Sequence, residues 1–188
     1  MGRKSDLTKA RIADALGTLL EDVPLSRITV SAVARQAGTN RQTFYYHFET
    51  LDDLVAYLCQ QKVQLLSSEV AACTDARALF AALVGQVGEN RAIFKKVLNG
   101  AGRGALREAF HDDAKAVLLK QARTLMGVHG VHPSTQELDF AVEYCVLASA
   151  SAVAGWIEGV VPATQDELTE ALARSFEQQM SGLDFSLQ

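Results

Sequence analysis

Six of the seven residues in the run Arg41-Gln42-Thr43-Phe44-Tyr45-Tyr46-His47 end in a group that donates or accepts hydrogen bonds. Wound as a helix, this run puts Phe44 and the following Phe48 on one side, four residues apart. The polar residues then fall in three outward rows: Arg41 with Tyr45, Gln42 with Tyr46, and Thr43 with His47. A short helix that turns a guanidinium, an amide and two phenols outward carries the groups that read a DNA major groove. Phosphate oxygens and base edges lie within the same reach there. Arg41, Gln42 and Thr43, at the leading end, are expected to meet base edges, and Tyr45, Tyr46 and His47 to lie nearer the backbone. Thr29, at the start of an earlier short helix, is placed with its backbone amide to take a phosphate.

Other reactive groups point to no chemistry as specific. His129 and His132, with His111-Asp112-Asp113 elsewhere, hold the residue types of a metal sensor, but an H-x-x-H pair is half of a zinc set. Solvent-exposed loop histidines are the favoured account, and no metal or cofactor is expected. Cys59, Cys73 and Cys145 are odd in number and form no C-x-x-C pair, which argues against a disulfide framework and for a reducing, cytoplasmic compartment. Each is expected to pack as a small apolar group. Cys145 beside Tyr144 has the makings of a redox switch, with a buried inert thiol the preferred reading. No nucleophile elbow, phosphate-binding loop or paired catalytic carboxylate is present, so no catalytic residue is assigned and enzyme activity is not expected.

The charge distribution fits contact with phosphates at one end. The chain of 188 residues carries a net charge of −4. Residues 1–50 nevertheless hold seven Lys/Arg against five acids, leaving the remainder distinctly acidic. The N-terminus is polar and does not read as a secretory signal. The uncharged stretch Tyr144–Ile157 falls short of the roughly 20 apolar residues of a membrane span and reads as a buried helix, with no membrane association expected.

The elements that must position the reading helix are helical nearly throughout. Prolines number three, alternating β-branched runs are missing, and Ala, Leu, Gln and Glu are plentiful. The expected fold is all-α with about nine helices. A first helix is predicted from about Asp6 to Leu20, with Ile12, Leu16, Leu19 and Leu20 as its apolar stripe and Pro24 behind its end. Thr29 caps Val30–Ala37, Gly38 turns the chain, and Asn40 caps Arg41–His47. Ala34 is small where the two helices cross. Thr50, with Asp53 in the capping-box position, opens a long helix from Leu51 to about Val70 that turns Leu54, Leu58, Leu65 and Leu66 inward. Further helices are predicted at 75–87, 90–98 and 104–125, with a flexible break at Asn99–Gly102 and a loop over Gly127–Pro133. Ser134 with Glu137 caps a helix to about Val160, and Thr164 with Glu167 caps a last one to about Met180.

The run from Ile28 to Phe48, Ile-Thr-Val-Ser-Ala-Val-Ala-Arg-Gln-Ala-Gly-Thr-Asn-Arg-Gln-Thr-Phe-Tyr-Tyr-His-Phe, resembles the DNA-binding signature of the tetracycline-repressor (TetR) family. The likeness extends over about residues 6–66. It implies a DNA-binding domain at 6–66 with a helix-turn-helix at 29–48, and an effector-binding and dimerisation domain at 67–188. Gly155-Trp156-Ile157-Glu158-Gly159, with Pro162 and Glu167-Leu168, resembles the C-terminal region of a subgroup that includes dihydroxyacetone-kinase regulators. One position departs from the family pattern. Many members carry a Lys near the start of the fourth helix, where Leu51 stands here among Glu49, Asp52 and Asp53. Arg3 and Lys4 on the N-terminal arm are candidates to compensate.

The resemblance implies a homodimeric repressor on a near-palindromic operator, released by a small-molecule effector. It implies pairing of the last two long helices with their symmetry mates. Ser151, Ala152, Gly155, Gly159, Leu168, Leu172 and Phe176 are the candidate interface, with packing inside one subunit as the alternative. Candidate effector-lining residues are Tyr57, Gln61, Phe80, Phe94, Phe110 and Tyr144, each also explicable as ordinary core. A second functional reading is a related co-regulator acting mainly through protein contacts, motivated by the acids around Leu51.

Overall fold

The computed structural model describes residues 2–64, 67–100, 102–129 and 133–183, and among these it holds ten α-helices, one 3₁₀ turn and no strand. The chain divides into two compact units. One comprises Met1–Lys62 with Asn90–Ala109, the other Val63–Glu89 with Phe110–Gln188. The chain therefore passes between units at three points, where a single boundary near residue 66 was expected.

In the first unit, α1 (Gly2–Asp22) buries Ile12, Leu16 and Leu20 and packs against α2 (Val30–Gln36), α3 (Arg41–His47), α4 (Leu51–Lys62) and α7 (Arg91–Gly100). The 3₁₀ turn Leu25–Arg27 follows Pro24. Local sequence sets the two short helices. Thr29 Oγ1 accepts from the Ala32 amide at 3.2 Å, and Asn40 Oδ1 from the Thr43 amide at 2.8 Å. Gly38 turns between them at φ +62°, in the left-handed region where a side chain is costly. Thr50 and Asp53 form the reciprocal cap of α4, at 2.8 and 3.1 Å.

The expected long fourth helix is shorter than its apolar pattern suggested. It ends at Lys62, and a separate α5 (Ser68–Ala71) begins where Ser67 Oγ accepts from the Val70 amide. Between them the Gln64 amide donates to Gln86 Oε1 at 2.6 Å, a tertiary bond that competes with helix continuation. Leu65 and Leu66 lie outside the described residues.

The second unit holds α5, α6 (Ala76–Glu89), most of α8 (Gly102–His129), α9 (Thr135–Glu158) and α10 (Gln165–Gly182). α10 packs on α6 and α9, with the rings of Phe80 and Phe176 6.2 Å apart. α8 runs on to His129 where a loop was expected from Gly127. A single glycine costs a helix only about 1 kcal/mol, which a long packed helix absorbs. α9 and α10 both open with the expected capping boxes, at Ser134/Glu137 and Thr164/Glu167. The Gly155–Gly159 motif is a helix-ending device. Gly159 closes α9 at φ +86°, and a Cβ on Gly155 would meet Val161 Cγ2 at 3.0 Å. The buried Trp156 donates from Nε1 to Ala163 O at 2.9 Å.

Candidate nucleic-acid interface

The inner side of α3 is apolar and closed. Phe44 and Phe48 are buried, their rings 5.8 Å apart, and α3 packs on α2, whose Val33 and Ala34, with its cap Ala37, are likewise buried in the first unit. With those rings inward, helical geometry leaves the other residues of α3 no core to enter. Arg41, Gln42, Tyr45 and Tyr46 are exposed, Tyr46 at 80% of its surface, and Thr43 and His47 are half-buried. Thr29 is exposed at the head of α2.

The exposed groups are held in relation to one another. The Arg41 guanidinium carbon lies 5.9 Å from the Tyr45 ring centroid. Tyr45 stands edge-on to Phe44 at 5.4 Å, so the buried ring braces the exposed one. Tyr46 stands edge-on to His47 at 5.0 Å. Thr43 Oγ1 donates to Asn40 Oδ1 at 3.1 Å, tying it to the cap of its own helix. Burial first, and the Lys9 charge second, hold His47 below the ordinary imidazole value, so at neutral pH it is an uncharged donor and acceptor. Lys9 lies 6.0 Å from the ring centroids of both Phe48 and Tyr57. Its part in this surface went unnoticed in the sequence because α1 reaches α3 by a tertiary contact. The side chains of Arg3 and Lys4 lie outside the described residues. Leu51 is half-buried at the first position of α4, with Glu49, Asp52 and Asp53 exposed around it.

The residues expected to line an effector site are divided between the two units. Tyr57, Gln61 and Phe94 belong to the first unit, Phe80, Phe110 and Tyr144 to the second. Tyr57 stacks obliquely on Phe48 at 5.4 Å and accepts from Gln61 Nε2 at 3.1 Å. Phe80 and Phe94 are core side chains, while Tyr144 is 56% exposed. An open groove on α8, lined by Ala116, Leu119, Lys120, Arg123 and Thr124, includes none of the six.

The candidate interface residues all lie in the second unit and differ in burial. Leu168, Leu172 and Phe176 are buried inside the chain, turned to α6 and α9, so they have no surface left to offer a second copy. Gly155 is buried under Val161 and Gly159 is a helix cap; Ser151 remains exposed and Ala152 half-exposed. The exposed apolar stripe of the second unit lies instead on α9. Phe140, Tyr144 and Leu147 are exposed at 72%, 56% and 41%, and they continue to Ser151 at helical spacing. α9 is long and apolar enough by length and composition to cross a membrane, with mean hydropathy 1.5 and 39% of that window buried. Its polar side is joined to α8 by side-chain pairs. His111 Nε2 lies 2.7 Å from Glu143 Oε1, and Lys115 Nζ lies 3.0 Å from Asp139 and 3.2 Å from Glu143.

The remaining reactive groups are accounted for by packing. Burial pushes the Cys59 thiol up to about 12 and Cys145 to about 11, so neither holds appreciable thiolate near neutral pH, and the redox reading of Cys145 loses its chemistry. His111 is engaged with Glu143 and Asp112. His132 and the ring of His129 lie outside the described residues.

Residues 12–58 match the family model for bacterial regulatory proteins of the tetR family. Among solved structures, the chain is similar to the dihydroxyacetone kinase operon activator DhaS, with TM-score 0.70, 19% identity, and coverage of 94% of this chain and 98% of that one. It is similar to FadR of Thermus thermophilus, a TetR family transcriptional repressor in complex with lauroyl-CoA, with TM-score 0.63, 16% identity, and coverage of 92% and 94%. It is also similar to a transcriptional regulator from Rhodococcus sp. Rha1, with TM-score 0.58, 20% identity, and coverage of 94% and 97%. At these identities the likeness is one of fold. Comparison with curated protein sequences found no match.

Proposed function

We infer that this chain, whose residues 12–58 match the family model for bacterial regulatory proteins of the tetR family, is a homodimeric transcriptional regulator that binds a near-palindromic operator and answers to a small-molecule effector. The observation that carries the reading is the orientation of α3: Phe44 and Phe48 are buried while Arg41, Gln42, Tyr45 and Tyr46 face out. Arg41, Gln42 and Thr43 read base edges, Tyr45, Tyr46 and His47 lie along the backbone, and Thr29 takes a phosphate at the head of α2. Selection of bound sites from random DNA, followed by affinity against salt, tests it. A recovered motif with two related half-sites, bound less tightly as salt rises, is expected. No enrichment even in dilute buffer ends the reading.

The second copy is supplied by the stripe Phe140, Tyr144, Leu147 and Ser151 on α9, an apolar face that water disfavours. Of the candidate effector-lining residues in the second unit, Phe80 is in the core, Tyr144 is on the exposed stripe, and the half-buried Phe110 is the one left to meet an effector. Release from the operator requires that the effector bind the DNA-incompetent form more tightly. Repression is the sign proposed, tested by a reporter under the selected operator in the presence and absence of the chain. The exposed acids Glu49 and Asp52 beside Leu51 favour a second reading, a co-regulator acting through protein contacts with little DNA affinity of its own.

A further inference from the structure

The first unit contains a segment that returns to it from the rest of the chain, residues 90–109. Both ends of the segment are tied to the last turn of α4. Asn90 Nδ2 donates to Lys62 O at 3.4 Å, and Gln60 Nε2 donates to Ala109 O at 2.7 Å. Between the ties, α7 buries Phe94, Val97 and Leu98 and lies on α1 and on the turn Leu25–Arg27. Two of its residues make contacts that fix position more than they fill space. Lys96 Nζ donates to both Leu20 O and Glu21 O. These carbonyls sit in the last turn of α1, where a helix runs out of its own donors, and an ammonium there also meets the negative end of the helix dipole. Gly100, the last residue of α7, comes so close to Leu25 that an added Cβ would lie 2.6 Å from Leu25 Cβ. Leu25 is itself buried, and the turn it begins ends two residues before Thr29, the cap of α2.

We propose that α7 is a positioning element for the DNA-binding helices, with Lys96 and Gly100 as its two points of purchase, one on the end of α1 and one on the turn from which α2 departs. This rests on the reading of α3 as the helix that contacts DNA. Lys96 acts through the carbonyls of α1 and Gly100 through Leu25; neither is a DNA contact. The chain before residue 90 and after residue 109 belongs to the second unit.

The test uses the full chain and DNA that the wild type selects from a random pool. Lys96→Met keeps an unbranched stem and removes the ammonium, Lys96→Arg keeps the donors, and Gly100→Ala adds the Cβ that Leu25 must escape. Affinity is measured at a temperature where circular dichroism shows each variant fully folded, so that lost stability cannot imitate lost positioning. Lys96→Met and Gly100→Ala are expected to bind roughly 5- to 150-fold more weakly, the span of ordinary coupling between sites. Lys96→Arg is expected to restore binding. The double variant should lose less than the product of the two, since both act through the placement of one helix, α7. In the wild type, amide exchange across Arg91–Gly100 should slow when DNA is added, which needs no variant to fold. Wild-type affinity in folded Lys96→Met and Gly100→Ala, or exchange in α7 indifferent to DNA, overturns the proposal while the DNA reading stands. A wild type that selects no DNA removes both.

Discussion

Arg41 and Gln42 are the exposed residues of α3 that can present two hydrogen-bonding groups side by side to one base. Replacing either with Ala is expected to cost about 1–3 kcal/mol on the selected site and to relax preference at one or two base positions only. Competition titrations against single-base operator variants measure both effects, and unchanged preference in both variants would place the base contacts elsewhere on α3. Leu51 makes a different prediction. A Lys there adds a phosphate contact without reading sequence, so Leu51→Lys should tighten binding on every duplex alike and steepen the slope of log affinity against log salt by roughly one. An unaltered slope would mean that this end of α4 does not approach a phosphate. His47, uncharged at neutral pH by partial burial, should add nothing to that slope.

At the scale of elements, the local signals were the legible ones. Thr29, Asn40, Thr50, Ser134 and Thr164 each cap the helix their sequence context announced, because a cap is made by residues three apart. What the sequence hid was tertiary. Nothing near Lys62 announces that Gln86 will take the Gln64 amide and end the long apolar run. A stripe such as Leu168, Leu172 and Phe176 reveals that one face of α10 is covered, and periodicity is silent on whether α6 or a second chain covers it. The same limit hid the ion cluster between α8 and α9. Hydrogen bonds to Glu143, then to Asp112, raise the His111 pKa, and the bond from His111 lowers that of Glu143. The stabilisation from His111 is therefore full below its ordinary value of 6.5 and is lost as pH rises through the raised value. That from Glu143 is present above 4.5 and is lost as pH falls through the lowered one. Thermal stability should fall as pH rises above the ordinary histidine value, and Glu143→Gln should flatten that fall. Melting curves at pH 5.5 and 8.5 would check it (conditions chosen at about one unit or more on either side of the 6.5 reference), and identical pH profiles in the two proteins would dismiss the cluster as a clamp.

For the molecule as a whole, the proposed dimer puts its seam on the exposed stripe of α9. Leu147→Glu, which sets a carboxylate in the middle of Phe140, Tyr144 and Ser151, should yield a folded monomer with much reduced affinity for a two-half-site operator, read by sedimentation and by binding. A variant that remains a dimer would move the interface to another surface. The return of residues 90–109 to the first unit also orders events during synthesis. When Lys62 has been added to the growing chain, the helices proposed to face DNA are complete in sequence, but the ammonium that closes α1 and the glycine that seats Leu25 have yet to be made. At roughly 5–20 residues per second the wait is a matter of seconds. Through that interval the nascent head is an unfinished fold, open to proteases and chaperones, and it gains its final shape only when a later stretch of the message has been read.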